Sequence, residues 1–174
     1  MMLRSMTLAI LLGLASATPA DEWTTAGDVL QIALPLTALT ATFTLDDPEG
    51  RTALVGSYAT TLGASYVLKY TVDRERPDGS DTRSFPSAHT ASAFSGASFL
   101  QRRYGWDIGL PAYLGATYVG WSRVYGEKHY VSDVLAGAAL AWGVNYWLVP
   151  KSDRRDFALV PMQGGAALAF NFRF

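Results

Sequence analysis

The sequence predicts an all-α protein, a bundle of about five to six helices that is either embedded in a membrane or soluble. All charged residues lie outside six stretches of 15 to 18 residues, which are 5–20, 29–45, 52–68, 84–101, 108–122 and 134–150. Uncharged runs of this length, rich in Ala, Leu and Gly, are too long for typical strands and favour helices. Hydrophobic residues make up 49% of the chain and charged residues 17%, against about 25% charged in soluble domains. This composition excludes disorder and is compatible with membrane contact.

The first stretch has the pattern of a secretory signal peptide. Arg4 is the only charge before Asp21, residues 7–17 are apolar, and small residues precede Asp21. That pattern is typical of a cleaved signal peptide, with an uncleaved first membrane helix as the alternative. We therefore expect 1–20 to be a signal peptide or a first membrane helix, which places Asp21 outside the cytoplasm, and 21–156 to be the folded domain.

The remaining stretches are compatible with both environments. A helix of 17 residues spans about 26 Å, slightly less than the ~30 Å hydrocarbon core of a bilayer. If the chain crosses a membrane at every stretch, eight basic residues lie in loops on the cytoplasmic side and six in loops on the outer side. This weak bias agrees with the positive-inside rule. A soluble, exported bundle stays open as the alternative.

The last segment, 157–174, departs from the helical pattern. Phe170, Phe172 and Phe174 alternate with polar residues after a pair of glycines. Such alternation predicts a short strand-like tail.

Composition also limits the chemistry. The chain has no cysteine, which excludes disulfides, thiol nucleophiles and cysteine-ligated metals. It has two histidines, His89 and His129, which argues against a multi-histidine metal site. Its net charge of -1 argues against a nucleic-acid partner held by bulk charge. We expect no metal, no cofactor and no nucleic acid.

Three clusters at the ends of the stretches carry the candidate functional residues. The clusters occupy 69–77, 84–90 and 122–133. They fall after one predicted helix, at the start of the next, and across the turn between the last two. These ends alternate to the same side of an up-and-down bundle, so the clusters are predicted to converge. The candidate residues are Lys69, Arg76, Ser87, His89, Arg123, His129 and Asp133.

Two histidines, one carboxylate and several cations suit phosphoryl transfer through a histidine nucleophile. His129 and Asp133 are four residues apart and share one helix face, so Asp133 can accept from one ring nitrogen while the other attacks phosphorus. His89 would protonate the leaving oxygen as general acid. The basic residues would bind the phosphoryl oxygens, helped by N–H groups at helix N-termini. The neighbouring Arg74, Arg83 and Lys128 are expected to be solvated or to snorkel.

These spacings resemble the signature of the type 2 phosphatidic acid phosphatase / vanadium haloperoxidase superfamily. Its pattern is K-x6-R-P, then P-S-G-H, then S-R-x5-H-x3-D. Lys69 is followed by six residues and Arg76-Pro77, and Ser122-Arg123 by five residues, His129, three more and Asp133. The match covers about 65 central residues.

One position departs from that signature. Ala88 stands where the family usually has glycine. The backbone N–H is retained, so anion binding is expected to survive. If this position required a positive φ, alanine would cost about 1–2 kcal/mol.

The resemblance implies a role for each residue. His129 would be the nucleophile, His89 the acid and Asp133 the partner of His129. The implied phosphate-binding residues are Lys69, Arg76, Ser87, Ala88 and Arg123. The resemblance also implies a metal-independent reaction and a mostly helical core.

These observations lead to one expectation and two alternatives. We expect a metal-independent phosphatase acting on lipid phosphates, such as phosphatidic acid or an isoprenyl pyrophosphate, through a phosphohistidine on His129. Its place would be the cell envelope, either the inner membrane with the site facing the periplasm or the periplasm itself. The alternatives are a soluble, exported acid phosphatase of broad specificity and a vanadate-dependent haloperoxidase. Short loops leave little room for a halide site, which disfavours the latter.

Overall fold

The computed structural model describes residues 19–152, 157–162 and 165–170, and within them the chain forms five helices and one β-hairpin. The helices are α1 (Pro19–Thr44), α2 (Pro48–Thr71), α3 (Ala88–Tyr104), α4 (Trp106–Tyr125) and α5 (Val131–Leu148). The strands β1 (Phe157–Met162) and β2 (Gly165–Phe170) pair antiparallel, with Phe157 opposite Phe170. The predicted helical bundle is therefore confirmed. Of the three phenylalanines that predicted the strand-like tail, Phe170 ends β2, and the other two lie outside the described residues.

The helices follow the uncharged stretches with two differences. Helix α1 begins at Pro19, so it carries Asp28 ahead of the stretch 29–45. Helix α3 begins at Ala88 rather than at residue 84, because Ser87 is its N-cap and accepts a hydrogen bond from Thr90 N. Almost all of the stretch 5–20 lies outside the described residues.

Helix α3 is the central element and packs against the other four helices. Its buried residues are mostly Ala, Ser and Gly, so neighbouring backbones can approach closely. At Gly96, an added Cβ would lie 2.6 Å from the backbone nitrogen of Pro35 in α1. Pro35 has no N–H to satisfy at this contact. The larger buried side chains Phe99 and Leu100 fill the core towards the end of α3.

A buried ion pair holds the end of the bundle at which α3 ends. Asp47 caps α2 by accepting from Gly50 N at 2.9 Å. Both of its oxygens also accept from Arg103 at 2.7 Å, and both residues are about 5% exposed. The hydrogen bonds from Arg103 lower the pKa of Asp47 to about 2, so the pair stays charged at any physiological pH. The fold at this end of the bundle is therefore stabilised without any residue of the three clusters.

The outer faces of the bundle are apolar. Large hydrophobic side chains are exposed on α1, α2, α4 and α5, among them Val29, Ile32, Leu36, Val55, Val67, Leu110, Leu114, Leu135, Trp142 and Trp147. Within the described part of the chain, α1 is the one helix that is long and apolar enough to cross a membrane, over Glu22–Thr44.

Candidate active site

The three clusters meet at one end of the bundle, where α2 and α4 end and α3 and α5 begin. Ser87 N, at the start of α3, donates to the backbone oxygen of Asp133 at 3.0 Å. Arg76 Nη1, in the loop after α2, donates to the backbone oxygen of Lys128 at 3.1 Å. These bonds tie the three segments together, as the alternation of helix ends predicts.

Asp133 is the most completely buried charged group at this end, with no exposed area. Its Oδ1 accepts from Arg74 Nη1 at 2.7 Å. Its Oδ2 accepts from Ser84 Oγ and, at 3.0 Å, from Tyr130 N. The bond from Tyr130 closes a capping box at the start of α5. Asp133 therefore begins a helix and binds the loop after α2 with the same carboxylate.

His129 lies one residue before the N-cap of that helix and is 2% exposed. Its Nδ1 is 3.7 Å from Asp133 Oδ2, which is longer than a hydrogen bond, and its Nε2 is 3.5 Å from Arg76 Nη1. Arg76 can only donate, so this contact favours the tautomer in which Nε2 carries the lone pair of the neutral ring. Burial, followed by the charges of Arg76 and Lys69, lowers the pKa of His129 to about 4. A nucleophilic lone pair is therefore present at neutral pH.

Two of the predicted phosphate-binding cations are held by the protein beside this ring. Lys69 Nζ, in the last turn of α2, donates to the backbone oxygen of Arg83 at 2.7 Å. Arg76 Nε donates to Asp81 Oδ1 at 2.7 Å. Both cations act electrostatically on the rings of His89 and His129, so each of them lies near both histidines. An anion placed there would meet preoriented donors.

The start of α3 adds backbone N–H groups to the site. Ala88 is the first residue of α3 and has ordinary helical geometry, so the departure from glycine causes no backbone strain. Ser87 Oγ accepts from Thr90 Oγ1 at 3.0 Å and leaves its own proton for another acceptor. Helix α5 approaches closely here, since a Cβ at Gly137 would lie 2.5 Å from the Ser87 backbone oxygen. The N-terminus of a helix held in this way is suited to binding an anion.

His89 and Arg123 occupy the side of the site formed by α1. Arg123 is 4% exposed, and its donors reach Asp28 Oδ1 at 2.7 Å, the Thr24 backbone oxygen and Ser122 Oγ at 3.3 Å. His89 Nε2 lies 3.1 Å from the same Asp28 oxygen. One carboxylate oxygen thus contacts both the predicted acid and a predicted phosphate-binding cation.

Sequence reasoning missed three residues of this end, namely Asp28, Arg74 and Ser84. The expectation that Arg74 is solvated is wrong, because it pairs with the buried Asp133. Asp28 has a signal in the sequence, since a lone carboxylate beside a long apolar stretch is costly in a membrane helix and usually functional. For Ser84 and Arg74 the sequence offers no such signal. In the described part of the chain, no group of three or more His, Cys, Asp or Glu residues could hold a metal ion.

Comparison with known proteins places the chain among proteins of related sequence and fold. Residues 51–156 match the model of the PAP2 superfamily. The lipid A 4′-phosphatase of Helicobacter pylori is 31% identical over 146 residues, which are 78% of this chain and 73% of that protein. The lipid A 1-phosphatase of Porphyromonas gingivalis is 40% identical over 87 residues, 46% of this chain and 19% of that protein.

Two solved structures share the fold. The crystal structure of Aquifex aeolicus LpxE superimposes with a TM-score of 0.63 at 22% identity, covering 75% of this chain and 86% of that one. The crystal structure of a transmembrane PAP2-type phosphatidylglycerolphosphate phosphatase from Bacillus subtilis gives 0.61 at 23% identity, covering 76% and 77%.

Proposed function

Because this chain belongs to the PAP2 superfamily, we propose that it is a phosphatase that removes phosphate from lipids through a phosphohistidine intermediate on His129. The family membership confirms the resemblance carried by the three clusters. One observation supports the proposal most directly: Nε2 of a buried histidine, whose pKa is lowered to about 4, lies 3.5 Å from an arginine nitrogen. A phosphoryl group bound by that arginine would lie within reach of the nitrogen.

The proposed reaction has two steps. In the first, His129 Nε2 attacks phosphorus, the bond to the leaving oxygen breaks, and His89 gives that oxygen a proton. In the second, water attacks the phosphohistidine, His89 takes the water proton, and inorganic phosphate leaves. Lys69, Arg76, Arg123, the hydroxyl of Ser87 and the N–H group of Ala88 would stabilise the charge on the transferred group.

The lipid part of the proposal rests on surface chemistry and on the relatives. Apolar side chains cover the outer faces of four helices, which suits a protein surrounded by acyl chains. The two related sequences are named for lipid A and one of the solved structures for phosphatidylglycerolphosphate. We propose that this chain is embedded in a membrane of the cell envelope, with the site facing the periplasm, and takes a phosphorylated envelope lipid.

Phosphate release from a panel of substrates tests this function. The panel holds lipid A, phosphatidic acid, phosphatidylglycerol phosphate, an isoprenyl pyrophosphate and a soluble phosphomonoester, each with EDTA and each with vanadate as competitor. We expect release from at least one lipid, resistant to EDTA and inhibited by vanadate, and an acid-labile phosphoryl-protein that His129→Gln does not form. Full turnover by His129→Gln would refute the mechanism. Release from the soluble ester alone would refute the lipid substrate, and halide oxidation with bound vanadate would indicate a haloperoxidase.

A further inference from the structure

Asp28 lies where two functional groups from different clusters meet. Its Oδ1 is 3.1 Å from His89 Nε2 and 2.7 Å from Arg123 Nη1. Asp28 belongs to α1, which precedes the 51–156 segment that matches the family. The family motifs therefore assign it no role.

The position of this carboxylate is fixed by close packing between α1 and the end of α4. A Cβ at Gly27 would lie 2.8 Å from Arg123 Nη2 and closer still to Ser122 Oγ, so only glycine allows this approach. The backbone oxygen of Thr24 accepts from the same arginine. Contacts at Thr24 and Gly27, in the turn of α1 that precedes Asp28, thus hold this part of the helix against the site.

Resting on the function proposed above, we propose that Asp28 is a positioning residue that holds His89 in the orientation and charge state needed to protonate the leaving oxygen. A carboxylate beside Nε2 makes that nitrogen the protonated one, and leaves Nδ1 to face the substrate. It also stabilises the imidazolium, which is the form that can donate a proton.

The charges around the ring make this carboxylate important. Arg123, Arg76 and Lys69 are the cations that act on His89, and Asp28 is the anion that opposes them. Burial and then these three cations lower the pKa of His89 below its ordinary value. Without Asp28, the acid would face only positive charge and would lose its proton more readily.

If Asp28 has this role, the loss of activity on replacing it should depend on the leaving group of the substrate. An alkoxide leaving group, as in phosphatidic acid, needs a proton when its bond to phosphorus breaks, whereas p-nitrophenolate leaves without one. A residue that merely supports the fold would affect both substrates equally. Loss of a positioned general acid costs roughly 10²–10⁴-fold, and loss of its orienting partner should cost part of that.

The test compares Asp28→Asn with Asp107→Asn, which makes the same change at an exposed residue in the first turn of α4. For Asp28→Asn we expect kcat for phosphatidic acid to fall roughly 10–100-fold, kcat for p-nitrophenyl phosphate to fall less than about threefold, and the basic limb of the pH profile to move to lower pH. Asp28→Glu should recover part of the loss, and Asp107→Asn should match the wild type.

Any other result would overturn the proposal. Equal losses on both substrates would make Asp28 a structural residue or a support for Arg123 alone, and unchanged kcat on both would remove any role. Turnover of p-nitrophenyl phosphate reports that the variant is folded. A wild-type protein inactive on both substrates would instead overturn the proposed function and this inference with it.

Discussion

Replacing Arg74 with glutamine should weaken the support of Asp133, which is the carboxylate closest to the proposed nucleophile. Arg74 Nη1 lies 2.7 Å from Asp133 Oδ1, and its guanidinium stacks on the Tyr130 ring at 4.4 Å. Glutamine keeps a donor but removes the charge. The carboxylate would then keep two hydrogen bonds, from Ser84 and from Tyr130 N.

The size of the effect follows from burial. Two unit charges 4 Å apart attract with about 4 kcal/mol at the dielectric constant typical near a protein surface. Arg74 is 34% exposed, although Asp133 is fully buried, so solvent screening reduces that value. We expect a loss of about 1–2 kcal/mol, which corresponds to roughly a 5–30-fold change in an equilibrium. With Asp133 less neutralised, the pKa of His129 should rise from its value of about 4.

The matched control is Arg83→Gln. Arg83 lies in the same loop, is exposed, and stacks on the Tyr70 ring at 4.6 Å, so it repeats the tyrosine contact without a buried carboxylate. The assay measures the melting temperature in detergent and kcat on p-nitrophenyl phosphate. We expect a lower melting temperature and about tenfold lower kcat for Arg74→Gln alone. If the two variants are indistinguishable, Asp133 does not depend on Arg74.

Two further predictions concern His129 and helix packing. The pKa of His129 lies below its ordinary value of 6.5, so its contribution to stability is complete above pH 6.5 and is lost as the pH falls towards about 4. The loss should amount to on the order of 3 kcal/mol, and melting curves of His129→Gln should show a smaller decline over that range; parallel declines would contradict the shift. Gly137→Ala should lower the melting temperature because its Cβ would lie 2.5 Å from the Ser87 backbone oxygen, whereas Gly143→Ala, with no atom within 4 Å, should not. Equal melting temperatures for these two variants would show that α5 can move away from α3 without cost.

The helices were predictable because charge marks their ends. The uncharged stretches locate α2, α4 and α5 closely, and α3 starts late only because Ser87 caps it. The beginning of α1 could not be located in this way, because Asp28 lies inside the helix rather than beyond it.

The site could be predicted only where the spacing of residues along the chain determines which groups come together. Helix alternation brings the clusters together, and the four-residue spacing puts Asp133 near His129. The side-chain partners of Asp133, Arg74 and Ser84, were not predictable, because they come from the loop after α2, whose path depends on tertiary contacts. The expected hydrogen bond from the His129 ring to Asp133 is not formed in the structure, where 3.7 Å separates Nδ1 from Oδ2.

The capping box at the start of α5 has a consequence for how this protein tolerates mutation. Catalytic groups often lower stability, so their loss commonly produces an inactive but sturdier fold. Here the oxygen that accepts from Tyr130 N to begin α5 belongs to the carboxylate beside the proposed nucleophile. At Asp133, a substitution that removes activity should therefore also lower the stability of the fold. A selection for folding alone, blind to catalysis, would still retain this aspartate.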